Sequence, residues 1–125
     1  MRAPTKVVPL YNSKGDLGAY MVYPYIYNLL GEWVGFCTAE REVFSVIGNY
    51  VGYLADDQRI LRPRTLSSPQ RQAEPPSRPP KLSPPAAVPL APMLRELTHS
   101  TVDVLLDEPD RLHTADMGEL RPDLE

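Results

Sequence analysis

The sequence predicts a mainly β protein of consecutive short hairpins repeated around an axis, followed by a disordered proline-rich linker and a short C-terminal helix. Two observations predict it. A gapless internal repeat runs through the first half of the chain, and the residue types that build sheets and those that break them are segregated. All ten aromatic residues lie between Tyr11 and Tyr53, and six of the seven glycines between Gly15 and Gly52. Ten of the fifteen prolines lie between Pro63 and Pro92. Of the 125 residues, only about half can therefore form a folded domain. A chain of roughly 60 residues buries only about 60% of its unfolded surface, which leaves little room for a deep catalytic cleft.

The repeat has three clear copies, Leu10–Met21, Ile26–Cys37 and Val43–Leu54, with periods of 16 and 17 residues. Each reads apolar, aromatic, Asn or Ser, two variable residues, Gly, then a small residue and an aromatic. Asn or Ser opening a turn and Gly closing it is the requirement of a type I turn with a left-handed last residue: the side-chain oxygen caps the turn and Gly tolerates positive φ. Gly15, Gly31 and Gly48 are the turn glycines. The turn Asn28–Gly31 places Tyr27 opposite Trp33 and Ile26 opposite Val34. Ala19, Gly35 and Gly52 fall mid-strand, where a missing side chain points to close approach of a neighbouring backbone or ring. Val22–Pro24, Thr38–Glu42 and Ala55–Gln58 are the short, mostly polar connectors between hairpins. Cys37 reads as a small core hydrophobe.

These copies, Y-N-x-x-G-x-x-G-A-Y, Y-N-x-x-G-x-W-V-G-F and F-S-x-x-G-x-x-V-G-Y, resemble the small bacterial four-fold β-flower proteins over about residues 7–62. The resemblance implies four hairpin petals about a pseudo-fourfold axis, a trailing proline-rich tail and no established activity. The fourth petal departs from the pattern. Ile60-Leu61 begins a copy in register, but Thr65 and Pro69 stand where Gly would recur. Either the strand Gln58–Arg62 pairs with Lys6–Leu10, or an open edge awaits a second subunit.

The expected organisation is a hairpin-repeat domain over 1–62, a linker over 63–92 and an acidic tail over 93–125, with net charges of 0, +3 and -6 in turn. One linker residue in three is proline, so the linker reads as an extended spacer. Pro76-Ser77-Arg78-Pro79-Pro80-Lys81 formally fits a P-x-x-P-x-basic ligand. Beyond Pro92, the spacing of Met93, Leu94, Leu97, Thr101, Val104 and Leu105 predicts an amphipathic helix over about 93–107. Leu94, Leu97, Val104 and Leu105 are its partner-binding stripe, and 110–125 is expected to lack order.

No chemistry of a catalytic kind is legible. His99 and His113 lie in the tail, away from any orienting partner, and neither C-x-x-C nor H-E-x-x-H occurs. Asp56-Asp57 reads as a solvated turn. The expectation is a non-enzymatic protein without cofactor or metal. The absence of a basic face argues against nucleic acid, and no apolar run long enough to span a bilayer argues against membrane insertion. The short apolar run near the N-terminus points to a cytoplasmic location. The leading functional expectation is a protein-interaction module, its β head tethered to a docking helix that engages a protein partner or another copy. The alternatives are a structural homo-oligomer with its fourth hairpin completed by another chain, and a small-ligand or peptide binder using an aromatic rim of Tyr23, Tyr25 and Trp33.

Overall fold

A computed structural model describes residues 6–65 and 72–115. Eight antiparallel strands follow one another in chain order in a single curled sheet: β1 (Val8–Tyr11), β2 (Leu17–Val22), β3 (Tyr25–Tyr27), β4 (Trp33–Cys37), β5 (Glu42–Ser45), β6 (Tyr50–Leu54), β7 (Ile60–Pro63) and β8 (Thr101–Asp103). Among the described residues a short helix, α1 (Val104–Asp107), and a 3-10 turn at Pro109–Arg111 follow.

The hairpin turns form where the sequence places them, for the reason it offers. Asn12 Oδ1 accepts from the N–H of Lys14 and Asp16, and Asn28 Oδ1 from Leu30 and Glu32. Gly15, Gly31 and Gly48 close the turns with φ of 85°, 85° and 89°. Tyr27 faces Trp33, as expected, but Ile26 faces Gly35 rather than Val34. A bulge inserts one residue beyond the turn, and it recurs at Leu10/Tyr11 and Val43/Phe44. Consequently Leu10, Ile26 and Val43 lie opposite Ala19, Gly35 and Gly52. A Cβ on Gly35 would collide with the Phe44 carbonyl, and one on Gly52 with that of Leu61, so the small residues let adjacent hairpins approach.

The core follows the repeat. Leu10, Ile26, Val43 and Ile60, the opening residue of each copy including the fourth, are all at 0% exposure. Val104 joins them from α1. Leu105 packs over Gly18, where a Cβ would lie 2.9 Å from its Cδ1; Leu112 packs over Gly35, where a Cβ would lie 2.7 Å from its Cδ2.

The fourth hairpin is completed within the chain, but not by Lys6–Leu10. β7 pairs with β8 through Leu61↔Asp103, Arg62↔Val102 and Pro63↔Thr101. The β-branched pair Thr101-Val102 suits a strand, and Asp103 then caps α1 by accepting from the Leu106 N–H. Only the turn residue Gln58 returns to β1, accepting from Tyr11 N–H at 2.8 Å and donating from Nε2 to Pro9 O at 2.6 Å. The two ends of the sheet meet at the first turn, where Asp103 Oδ2 accepts from Ser13 N–H at 2.6 Å.

The helix expected over 93–107 is confined to Val104–Asp107. Residues 93–98 form neither helix nor strand, and Thr101–Asp103 is strand instead. Satisfying the open edge of β7 outweighs the weak helix propensity of Thr98, Ser100, Thr101 and Val102. Part of the acidic tail is ordered, since Leu112 belongs to the core. Residues 116–125 lie outside the described residues. Among the described residues no helix is long and apolar enough to cross a membrane.

Candidate functional site

The proline-rich segment is laid along the hairpin turns rather than held away from them. Ala73 N–H donates to Gly48 O at 3.0 Å and Leu82 N–H to Gly31 O at 2.9 Å. At the first turn glycine, Gly15, the Ala91 Cβ lies 4.0 Å from where a Cβ would stand, and the Tyr11 hydroxyl donates to Pro89 O. The segment thus visits the third, second and first hairpins in that order, at residues nine apart. Polyproline II has three residues per turn, so nine residues are three whole turns and bring the same face round again, about 28 Å further on.

Burial carries the same period. Ala73, Pro76, Pro79, Leu82, Pro85, Val88, Ala91, Leu94 and Leu97 are half-buried, and between 72 and 98 only Pro75 joins them. The sequence repeats in step, as Ala73-Glu74-Pro75-Pro76 and Leu82-Ser83-Pro84-Pro85. A spacer expected to stay clear of the head is a strap upon it. The reason is that a proline-rich segment has little conformational freedom to lose, and one residue in three, each of them apolar, turns toward the head.

Besides the Tyr11 hydroxyl and a bond from Gln72 Nε2 to Asn49 Oδ1 at 3.1 Å, two places hold the strap by side chains. At the aromatic rim the Tyr25 ring meets Trp33 edge-on, centroids 6.2 Å apart, and its hydroxyl donates to Ser77 O at 3.0 Å. Trp33 is fixed by its own Nε1 donating to Gly35 O at 2.8 Å. Arg78 and Pro79 close a hollow of about 220 Å³ beside Trp33. Of the three aromatics expected to share a rim, Tyr25 and Trp33 meet the strap, while Tyr23 stands 58% exposed.

The second place is the turn between β6 and β7. Arg59 is buried, its Nε and Nη2 donating to both oxygens of Asp57 at 3.1 and 2.6 Å and its Nη1 to Ser13 Oγ at 2.8 Å. Nη2 also donates to Arg95 O at 2.9 Å. The Arg95 main chain donates in return to Asp57. Burial works to raise the Asp57 pKa, but the bonds and charge of Arg59 together with the Arg95 main chain hold it below the usual carboxylate range. Asp57 is therefore not the solvated residue expected of an exposed acidic pair; its neighbour Asp56 is, at 98% side-chain exposure. Around this clamp opens a cleft of about 600 Å³ whose apolar wall is Tyr53, Leu61, Met93 and Leu97.

The four residues expected to bind a partner are divided. Val104 is core and Leu105 packs against it. Leu94 lies on the inner face of the strap, and Leu97 lines the cleft. Sequence reasoning missed the Asp57–Arg59 clamp, Tyr53 and the docking residues Ala73 and Leu82. The available signal was an apolar residue at every third position from 73 to 97.

A second polar cluster fixes the tail below α1. Arg62 donates to Glu108 through Nε and Nη2 at 2.7 and 2.6 Å, and Arg111 Nε to Glu108 at 2.6 Å. The Arg62 hydrogen bonds, assisted by Arg111, bring the Glu108 carboxyl down to about 2.

No protein-family model, curated protein or solved structure matches this chain.

Proposed function

We propose that the chain is a non-enzymatic protein-interaction module: a head of hairpin petals about a pseudo-fourfold axis, with its own C-terminal segment folded back on it. It offers the cleft beside β6 to a protein partner. The observation that carries this reading is the cleft itself, about 600 Å³, where Tyr53, Leu61, Met93 and Leu97 surround the clamped main chain of Arg95. Its volume suits a short cluster of partner side chains, and an aromatic beside aliphatic neighbours is the composition of interface anchors. Met93 is 93% exposed, although apolar, at the mouth. The charged groups Asp56, Arg95 and Glu96 line the same opening and suit a polar interface rim. Burial of Leu10, Ile26, Val43 and Ile60 at equivalent repeat positions supports the axis.

The test compares three full-length variants as bait. Met93→Asp and Leu97→Asp should lose a co-purifying partner, whereas Leu90→Asp, at a residue equally exposed but outside the cleft wall, should retain it. Equal behaviour of all three removes the cleft as the interaction surface.

A second reading, the structural homo-oligomer, is favoured by the 37 residues that separate β7 from β8. A connection of that length allows the same pairings to be exchanged between copies. Solution mass of the full chain separates the two, a monomer supporting the module and a dimer the exchange.

A further inference from the structure

The stretch of strap from Gln72 to Leu90 bears on a different surface from the cleft that the far end of the strap lines, and its chemistry specifies a ligand. The head holds it by the main-chain carbonyls of Gly31 and Gly48, which accept from N–H groups nine residues apart, and by the Tyr25 hydroxyl, which donates to a strap carbonyl. Side chains contribute one face in three. Apart from the Gln72 amide at its start, which donates to Asn49 Oδ1, none of these contacts reads a polar side chain of the strap. What they require is an extended left-handed helix with an apolar residue at every third position and free N–H groups at the correct spacing.

The strap is also separable from the core. No residue between 72 and 98 is among the buried residues, whereas Val102, Asp103 and Val104 beyond it are. Lifting the stretch from Gln72 to Leu90 breaks the main-chain bonds of Ala73 and Leu82, the Gln72–Asn49 bridge with its side-chain hydrogen bond, and the tyrosine contacts, without opening the sheet. The Arg95 clamp and the β7–β8 ladder still anchor its far end.

We propose that the rim of Tyr25, Gly31 and Gly48 is a receptor for proline-rich segments, and that a partner carrying a nine-residue x-x-Pro-Pro repeat replaces the middle of the strap there. This rests on the interaction-module reading and names one class of partner for it, at a surface distinct from the cleft. The tethered strap competes at high effective concentration, so binding in trans to the intact chain is weak and rises when the strap is loosened.

Leu82→Pro loosens it selectively. Proline keeps polyproline II geometry but removes the N–H that Gly31 accepts, and it leaves the receptor unaltered. The probe is a fluorescent peptide of residues 72–92 with the natural sequence, titrated into full-length protein and followed by anisotropy. Binding to the Leu82→Pro chain should be about fivefold or more tighter than to the natural chain, and a peptide carrying Leu82→Pro should bind about fivefold more weakly than the natural peptide. Amide shifts on binding should centre on Gly31, Gly48 and Tyr25. A peptide that binds neither chain, or both equally, overturns the proposal. Shifts confined to Tyr53 and Leu97 also overturn it while sustaining the cleft, so failure here is distinct from failure of the module reading.

Discussion

Gly31 and Leu82 are joined twice. The Gly31 carbonyl accepts the Leu82 N–H at 2.9 Å, and the Leu82 carbonyl oxygen occupies the space that a Cβ on Gly31 would need. Gly48 and Ala73 repeat the relationship at 3.0 Å. The glycine that closes a hairpin turn therefore serves two ends, a left-handed φ and contact with the strap.

Gly15 supplies the comparison, since its φ is equally positive but the nearest strap atom lies 4.0 Å from a Cβ position. Gly15→Ala should cost about 1 kcal/mol, the conformational share alone. Gly31→Ala and Gly48→Ala should cost about 1–3 kcal/mol, because the strap must also move. Urea unfolding of the three variants measures the difference; equal losses would show that the strap adds nothing at these turns.

Hydrogen exchange should single out two amides in the proline-rich segment. Ala73 and Leu82, whose N–H groups donate to the turns, should exchange more slowly than exposed Arg78 and Ala87. Uniformly rapid exchange from 72 to 92 would restore the free-spacer expectation.

Glu108 gives the fold an acid dependence of known sign. Its carboxyl is lowered from 4.5 to about 2 by Arg62 and Arg111 in the folded chain. The stabilisation is therefore complete above pH about 4.5 and is lost as the pH falls through about 2. Glu108→Gln should lower stability at neutral pH by about 1–3 kcal/mol and flatten this part of the profile. Thermal melts of both proteins between pH 2 and 7 test it, and parallel profiles would remove Glu108 as the cause.

The hairpins were legible because their determinants are local: Asn12, Asn28 and Ser45 open turns that Gly15, Gly31 and Gly48 close three residues later. The bulges were not, since they depend on how Ala19, Gly35 and Gly52 meet the opposite strand. β8 is only Thr101–Asp103, and 37 residues separate it from its partner β7, so no periodicity within it could reveal the pairing. The spacing of Leu94 and Leu97 is common to an α-helix and a polyproline II helix. Read from Met93 onward it suggests the first; read from Ala73 onward it continues the strap. The Asp57–Arg59 clamp escaped because two adjacent acids at a turn look solvated until Arg95 returns to meet them.

Because β7 finds its second neighbour only in Thr101–Asp103, the order of synthesis matters to this chain. A ribosome adding about 5–20 residues per second takes about 2–8 s to deliver the missing strand after β7 has emerged. For that interval three finished hairpins present an unpaired edge, the usual template for pairing between nascent chains. Premature termination anywhere in the proline-rich segment makes that interval permanent.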